Sequence, residues 1–305
     1  MAAGCHCSSM SLRSVLQILL LSAIWGVSFL LIRIAGQSFP PLWIAVMRSG
    51  LGALMLWSVA LLQRKRPAPR RFVPALLLVG LFNNAIPFTC FAWGEQVVPS
   101  NIASVLNATT PIWTLLITLA VMRSGAAWNV LAGVAIGFAG VILVVLQQTA
   151  NAAITVTHAV FLRGVLLISI GALGYAIASV IAKRKLVGVD PMIIAASQLA
   201  SAFVMVTPVA LAGPWPSHLR LATVGAAAIL GIFGSGIAYL LFFHILSTSS
   251  ATHATAVTYL LPVWGVFWGA VAHEPIGWAT YTGVAITICG LVLMNLYKSQ
   301  APSTR

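Results

Sequence analysis

Residues 98–113 read VPSNIASVLNATTPIW, an apolar helical stretch that carries Asn101, Asn107, Thr109 and Thr110 and then Pro111. Proline inside a helix removes one backbone hydrogen bond and frees a carbonyl, which must find a partner or face a wet cavity. The stretch returns in weaker form 151 residues on. Ala103 matches Ala254, Asn107 matches Thr258, Pro111 matches Pro262 and Trp113 matches Trp264. A broken, locally polar helix present once in each half of a chain is the element around which carriers build a binding site.

The composition sets the surroundings of that element. Of 305 residues, 60% are hydrophobic and 6% charged, and mean hydropathy is +1.03. Soluble domains carry roughly 25% charged residues, so this chain cannot clothe itself for water and must lie in a bilayer. The net charge of +13 would suggest nucleic acid in a soluble protein. Here the cations sit between apolar runs, where they orient the chain in the membrane, and no nucleic-acid partner is expected. Of the four cysteines, Cys90 and Cys289 fall within apolar spans. Cys5-His6-Cys7 lacks a second ligand cluster, so no metal is expected. The first apolar run, from Arg13 past Ile32, is too long for a signal-peptide core and reads as an uncleaved helix.

Ten spans of about 20 apolar residues fit the chain: 14–34, 41–62, 72–93, 102–122, 128–146, 164–181, 192–211, 221–246, 254–271 and 276–297. With ten spans, twelve basic residues share one side: Arg13, Arg64, Lys65, Arg66, Arg70, Arg71, Arg123, Lys183, Arg184, Lys185, Lys298 and Arg305. The other side has Arg33, Arg163 and Arg220, and Arg48 lies within span two. That bias predicts both termini in the cytoplasm of a multi-pass plasma (inner) membrane protein.

The repeat extends beyond the broken helix. At offset 150, Arg33 matches Lys183, Pro41 matches Pro191, Trp128 matches Trp278, and Gly133–Ile136 reads as Gly283–Ile286. At offset 151, Gly80, Phe82, Ile86 and Phe91 match Gly231, Phe233, Ile237 and Phe242. Each half holds five spans. Five is odd, so the second half must cross in the opposite sense. The expected fold is all-α and membrane-embedded: ten transmembrane helices as two inverted five-helix repeats (14–147 and 160–297), with tails 1–13 and 298–305. Small residues at Gly133, Gly137, Gly140, Gly283 and Gly290 are spaced for close helix packing.

The chain resembles the drug/metabolite transporter superfamily, specifically its EamA-like branch. The matching residues are Trp25-Gly26 and Ser28-Phe29, Pro41 and Arg48, Asn84-Ala85 and Pro87-Phe88, Glu95-Gln96, Pro99-Ser100, Asn107 to Pro111, Pro262 and Glu274. The resemblance spans nearly the whole chain. It implies ten helices, cytoplasmic termini and movement of small metabolites such as amino acids, often outward. One departure stands out: Arg123-Ser124 occupies the place of His273-Glu274, so the first half lacks the family's acidic residue there.

Chemistry must come from few residues. The three acids, Glu95, Asp190 and Glu274, all fall at span ends, as helix caps or loop residues. None lies at mid-membrane, where proton-coupled carriers commonly place a carboxylate. That predicts an uncoupled facilitator, or coupling by something other than a buried carboxylate. Arg48 must be paired or hydrated. It can neutralise Glu95, bind helix carbonyls or hold a substrate carboxylate, and it is carried as an additional binding candidate. The expected substrate-binding set is Trp25, Asn84, Asn107, Tyr175, Tyr239, Thr258 and Tyr259, with helix kinks at Pro87, Pro111 and Pro262. The bland alternative is interhelical hydrogen bonding among the same groups.

These residues predict a secondary transporter or permease for a small polar metabolite, an amino acid or related compound, exporting it by alternating access around a midplane site between the repeats. A broad-specificity multidrug exporter is the alternative within the class. A membrane-embedded enzyme or receptor is the rival outside it, but no phosphate loop, metal cluster or paired acid and base is present. No enzyme activity and no cofactor are expected. The expected partners are a small-molecule substrate and the lipid bilayer, with a homodimer left open.

Overall fold

A computed structural model describes residues 12–123, 125–152, 157–248 and 251–296, all helical or in short connections. Cys5-His6-Cys7, Ser124, Lys298 and Arg305 lie outside them. The ten spans are α1 (Leu12–Ala35), α2 (Pro41–Leu62), α3 (Arg70–Gly94), α4 (Ser100–Met122), α5 (Trp128–Ala152), α6 (His158–Lys185), α7 (Pro191–Leu211), α8 (221–248), α9 (Ala251–Val271) and α10 (Trp278–Leu296). Eight are long and apolar enough to cross a membrane, and the described parts of α9 and α10 supply two shorter apolar helices. Their outward faces carry exposed Leu54, Leu146, Val204 and Leu221, the surface that lipid covers. The chain is an all-α integral membrane protein.

Three spans are locally irregular. In α4 the helix stops at Asn107 and restarts at Thr110. Pro111 has no N–H to give the Asn107 carbonyl, while the Thr109 hydroxyl donates to the Leu106 carbonyl at 2.7 Å. In α3 a π turn occupies Leu81–Ala85, just before Pro87. A matching π turn occupies Ile232–Ile237 in α8, 151 residues on and without a proline. By contrast α9 runs unbroken through Pro262. Of the three expected kinks, Pro111 follows a break, Pro87 follows a π turn, and Pro262 sits within a continuous helix.

The two halves pack about a pseudo-twofold axis. α5 lies along α10 and α2 along α7, while α1–α9 mirrors α6–α4. Close approaches repeat the relation. Gly80 is pressed against Gln198 and Ser201 of α7, and its counterpart Gly231 against Met47 and Leu51 of α2. Along α5 and α10, a side chain at Gly133 would meet the Gly290 carbonyl at 2.8 Å, and one at Gly283 the Gly140 carbonyl at 2.7 Å. Even strained backbone repeats: Arg123 and His273, 150 apart, both adopt left-handed φ, 51° and 56°. The fold is two inverted five-helix repeats.

One end of the bundle is basic, with Arg64–Arg66, Arg70, Arg71 and Lys183–Lys185. There Asp190 caps α7 by accepting from the Met192 amide at 2.8 Å, and it is paired with Lys65. The other end holds two of the three acids, Glu95 and Glu274, together with Arg33, Arg163 and Arg220, and is the acidic end only in that sense. The largest buried apolar cluster, including Phe29, Ile44, Phe91, Ile102, Phe161 and Ile168, lies toward the acidic end.

Candidate functional site

Arg48 stands two turns into α2 and is 9% exposed. Its Nε donates to Ser235 Oγ in the α8 π turn at 3.1 Å, and its guanidinium lies 4.0 Å from the centre of the Phe88 ring on α3. One hydroxyl and one ring face therefore hold this cation. No ion pair joins it to Glu95 among the described residues, although Glu95, Tyr175 and Tyr239 lie within its electrostatic reach.

Tyr239 stands beside it. The Asn83 amide donates to the Tyr239 hydroxyl at 3.0 Å, and Asn84 and Gln198 face the same hydroxyl. Trp25 meets Tyr239 edge-on, with ring centres 6.4 Å apart. The Trp25 indole donates to the Gly234 carbonyl, within the π turn, at 3.2 Å. Asn84 is fully buried, and its amide finds no hydrogen-bond partner of good geometry among the described residues. An unsatisfied buried polar group costs roughly 1–3 kcal/mol. A polar solute can recover that cost.

The structure thus gathers Trp25, Arg48, Asn84 and Tyr239 around two π turns. Tyr175 joins them through Phe91, with ring centres 6.1 Å apart. Asn107 lies on α4, and Thr258 and Tyr259 lie on α9. Asn107 Oδ1 is buried without a partner among the described residues, while Tyr259 packs against an apolar cluster that includes Ala108, Ile112 and Leu291. Ser235 was missed from sequence, yet a signal existed. At offset 151 it is the counterpart of Asn84, as Gln198 is of Arg48 at offset 150, so the Arg48–Ser235 contact mirrors Gln198 beside Asn84.

The acidic end holds a second constellation. Glu274 follows α9 and accepts from the backbone amides of Ser100 and Asn101, each at 3.0 Å, and from Arg33 Nη1 at 2.9 Å. A carboxylate at a helix N-terminus satisfies free amides and meets the positive end of the dipole. Glu274 is indeed a cap, of the broken helix α4. Glu95 is different: it is 3% exposed, and neither oxygen has a hydrogen-bond partner among the described residues. Burial pushes its carboxyl well above the usual range and Glu274 adds to the rise, against Arg33 and Arg48. It forms part of a pocket of about 370 Å³ whose walls include Arg33, Gln37 and Gln96. No cluster of metal-ligating side chains occurs among the described residues.

Comparison with known proteins places this architecture among relatives. The sequence profile of the EamA-like transporter family matches residues 12–146 and again 162–296. The chain is 30% identical over 285 residues to the "Uncharacterized inner membrane transporter YedA" of Escherichia coli K12, covering 92% of this chain and 90% of that one. It is 24% identical over 279 residues to an "Uncharacterized transporter" of Archaeoglobus fulgidus, covering 90% and 93%. "Protein PagO" of Salmonella typhimurium is 25% identical over 281 residues, covering 90% of this chain and 89% of that one. A solved chain titled "Crystal structure of protein" superposes with a TM-score of 0.66 at 18% identity, covering 95% of this chain and 99% of that one; it shares the fold.

Proposed function

The chain belongs to the EamA-like transporter family, and from that premise we propose that it is a secondary transporter exporting a small polar metabolite, an amino acid or related compound. The solute binds between the repeats near the midplane and is passed on by alternating access. Both termini face the cytoplasm of the inner membrane, in keeping with the basic end of the bundle.

One observation carries the reading. At the two π turns, a fully buried amide without a good partner among the described residues, Asn84, lies beside a tyrosine hydroxyl and a cation held by Ser235 and a ring. Such groups offer a solute an amide, a hydroxyl and a positive charge at one place. In this reading Asn84, Tyr239 and Arg48 hydrogen-bond it, and Trp25 and Tyr175 pack against it. Asn107, Thr258 and Tyr259 contribute from the broken α4 and its counterpart. The irregular backbones beside Pro87 and Pro111, and Pro262 in the counterpart helix, let one wall move against the other.

The aromatic run Trp25, Phe242, Phe243 and Tyr239, with neighbouring ring centres 5.6–6.4 Å apart, favours a second reading, a broad exporter of apolar drugs. A growth screen separates them. Cells overproducing the protein, with Asn107→Ala as control, are challenged with inhibitory amino acids, amines, purine analogues and cationic dyes. Resistance to amino acids or their analogues, lost in the variant, supports the first reading, and resistance to dyes the second. Increased sensitivity reverses the direction. No change in any class counts against both.

A further inference from the structure

We propose that Glu95 is a proton-binding site, loaded from the pocket at the acidic end, and that its protonation is coupled to solute binding during transport. The coupling half rests on the transport reading above; the proton site does not.

Two buried acids at one end of the bundle differ in their surroundings. The Glu274 side chain is 4% exposed, but two amides and a guanidinium donate to it, so its ionised form is fully solvated by protein. Glu95 is as buried and receives no hydrogen bond from the described residues. An ionised carboxylate in that position costs several kcal/mol, and the neutral acid does not. Neighbouring carboxyls whose surroundings separate them in this way divide into a permanent charge and a proton carrier.

Glu95 is also accessible from outside and linked to the binding group. Glu95 adjoins a pocket whose rim residues Arg33, Gln37 and Gln96 are exposed. A hydronium ion reaching it gives up one proton to a carboxyl oxygen and leaves as water. The charged groups facing Glu95 are Glu274 and Arg33 at the acidic end and Arg48 from α2. Burial and Glu274 favour the protonated form, and the two arginines favour release. Arg48 also belongs to the binding group, so a solute carboxylate that engages Arg48 withdraws the charge that stabilises ionised Glu95. Solute and proton thereby sense one another. In the second repeat the counterpart of Glu95 is Ile245 or Leu246, at offsets 150 and 151, so one proton per cycle is the expected stoichiometry. In sequence Glu95 falls at a span end, yet in the fold that position is interior.

The test needs no solute at first. Purified full-length protein is treated with a hydrophobic carbodiimide, which reacts with protonated carboxyls, and adducts are located by mass spectrometry from about pH 5 to pH 9. The expected result is an adduct on Glu95 and not on Glu274, persisting above the ordinary glutamate value of about 4.3 and falling about tenfold per pH unit beyond its own. Wild type labelled at neither acid, or at both alike, overturns the proposal. Flux of the compound class found in the growth screen is then measured in proteoliposomes. A pH gradient should drive wild type, whereas Glu95→Gln, a mimic of the neutral acid, should retain exchange and lose the response. A Glu95→Gln protein that still follows the gradient contradicts coupling. Labelling at Glu95 in a protein that moves no solute supports the proton site and refutes the transport reading.

Discussion

Arg48 donates to Ser235 at 3.1 Å across the interface between the repeats, and the pseudo-twofold axis relates that contact to Gln198 beside Asn84. One half of the pair carries a charge and the other does not. The site is built symmetrically in backbone and asymmetrically in chemistry, as suits a solute with distinct ends.

Removing either support of Arg48 should therefore be felt. Ser235→Ala leaves a buried charged donor without its acceptor, and a loss of about 1–3 kcal/mol is expected. Phe88→Leu removes the ring face, worth up to about 2 kcal/mol when desolvated. In a double-mutant cycle, Arg48→Gln combined with Phe88→Leu should show a coupling of about 1–2 kcal/mol, read from unfolding in detergent. Additive losses would show that the ring contact contributes nothing.

Glu274 caps a helix to which it does not belong. Glu274→Ala should lower stability by about 1–2 kcal/mol, because the Ser100 and Asn101 amides lose their acceptor. Arg33→Ala, which removes only a half-exposed ion-pair partner, should cost less than about 1 kcal/mol. Equal losses in thermal unfolding would mean that the ion pair, not the cap, matters.

Packing of α5 against α10 depends on backbone contact that no side chain can enter. Gly290→Val would drive its side chain into the Gly133 carbonyl, 2.6 Å from a Cβ placed there. It should abolish the monodisperse peak in size-exclusion chromatography. Gly225→Ala meets nothing within 4 Å and should be neutral or stabilising by roughly 0.5–1 kcal/mol.

Asp190 offers a pH test. Burial raises its pKa, but hydrogen bonds from Lys65 and the Met192 amide outweigh burial, and the net shift is downward. A lowered folded-state value means that its stabilisation is present above the unfolded value, about 3.9, and fades as pH falls through the folded one. Asp190→Ala should thus melt lower than wild type at pH 7, by about 1 kcal/mol, with the gap closing in acid. A gap that persists in acid would assign the effect to packing.

Much of this was legible beforehand. The ten spans, the two offsets and Pro111 sit in the sequence as hydropathy, spacing and a residue that cannot donate. The break at Asn107 follows from them. Other features were hidden. A π turn leaves no composition of its own, and only the alignment of Gly80 with Gly231 marked where a pair of them would fall. Glu95 follows a span by one residue and looked solvated, because linear position does not reveal which loop folds inward. Tyr259 matched the binding pattern, and its packing against the cluster of Ala108, Ile112 and Leu291 was set by tertiary contacts that its position in the chain does not show. Glu274 was visible as the acid that the first half lacks, but its partners at Ser100 and Asn101 are 174 and 173 residues away.

The most direct test of the central claim is counterflow of a labelled amino acid in proteoliposomes, comparing wild type with Asn84→Ala and Tyr239→Phe proteins that remain monodisperse. The account predicts saturable exchange in wild type, reduced at least about tenfold in Asn84→Ala, since one lost hydrogen bond in a buried site is worth about 1.4 kcal/mol or more. Exchange that is unchanged in both variants would contradict the placement of the site between the π turns, and no exchange in wild type across the amino acids tested would contradict the assigned substrate class.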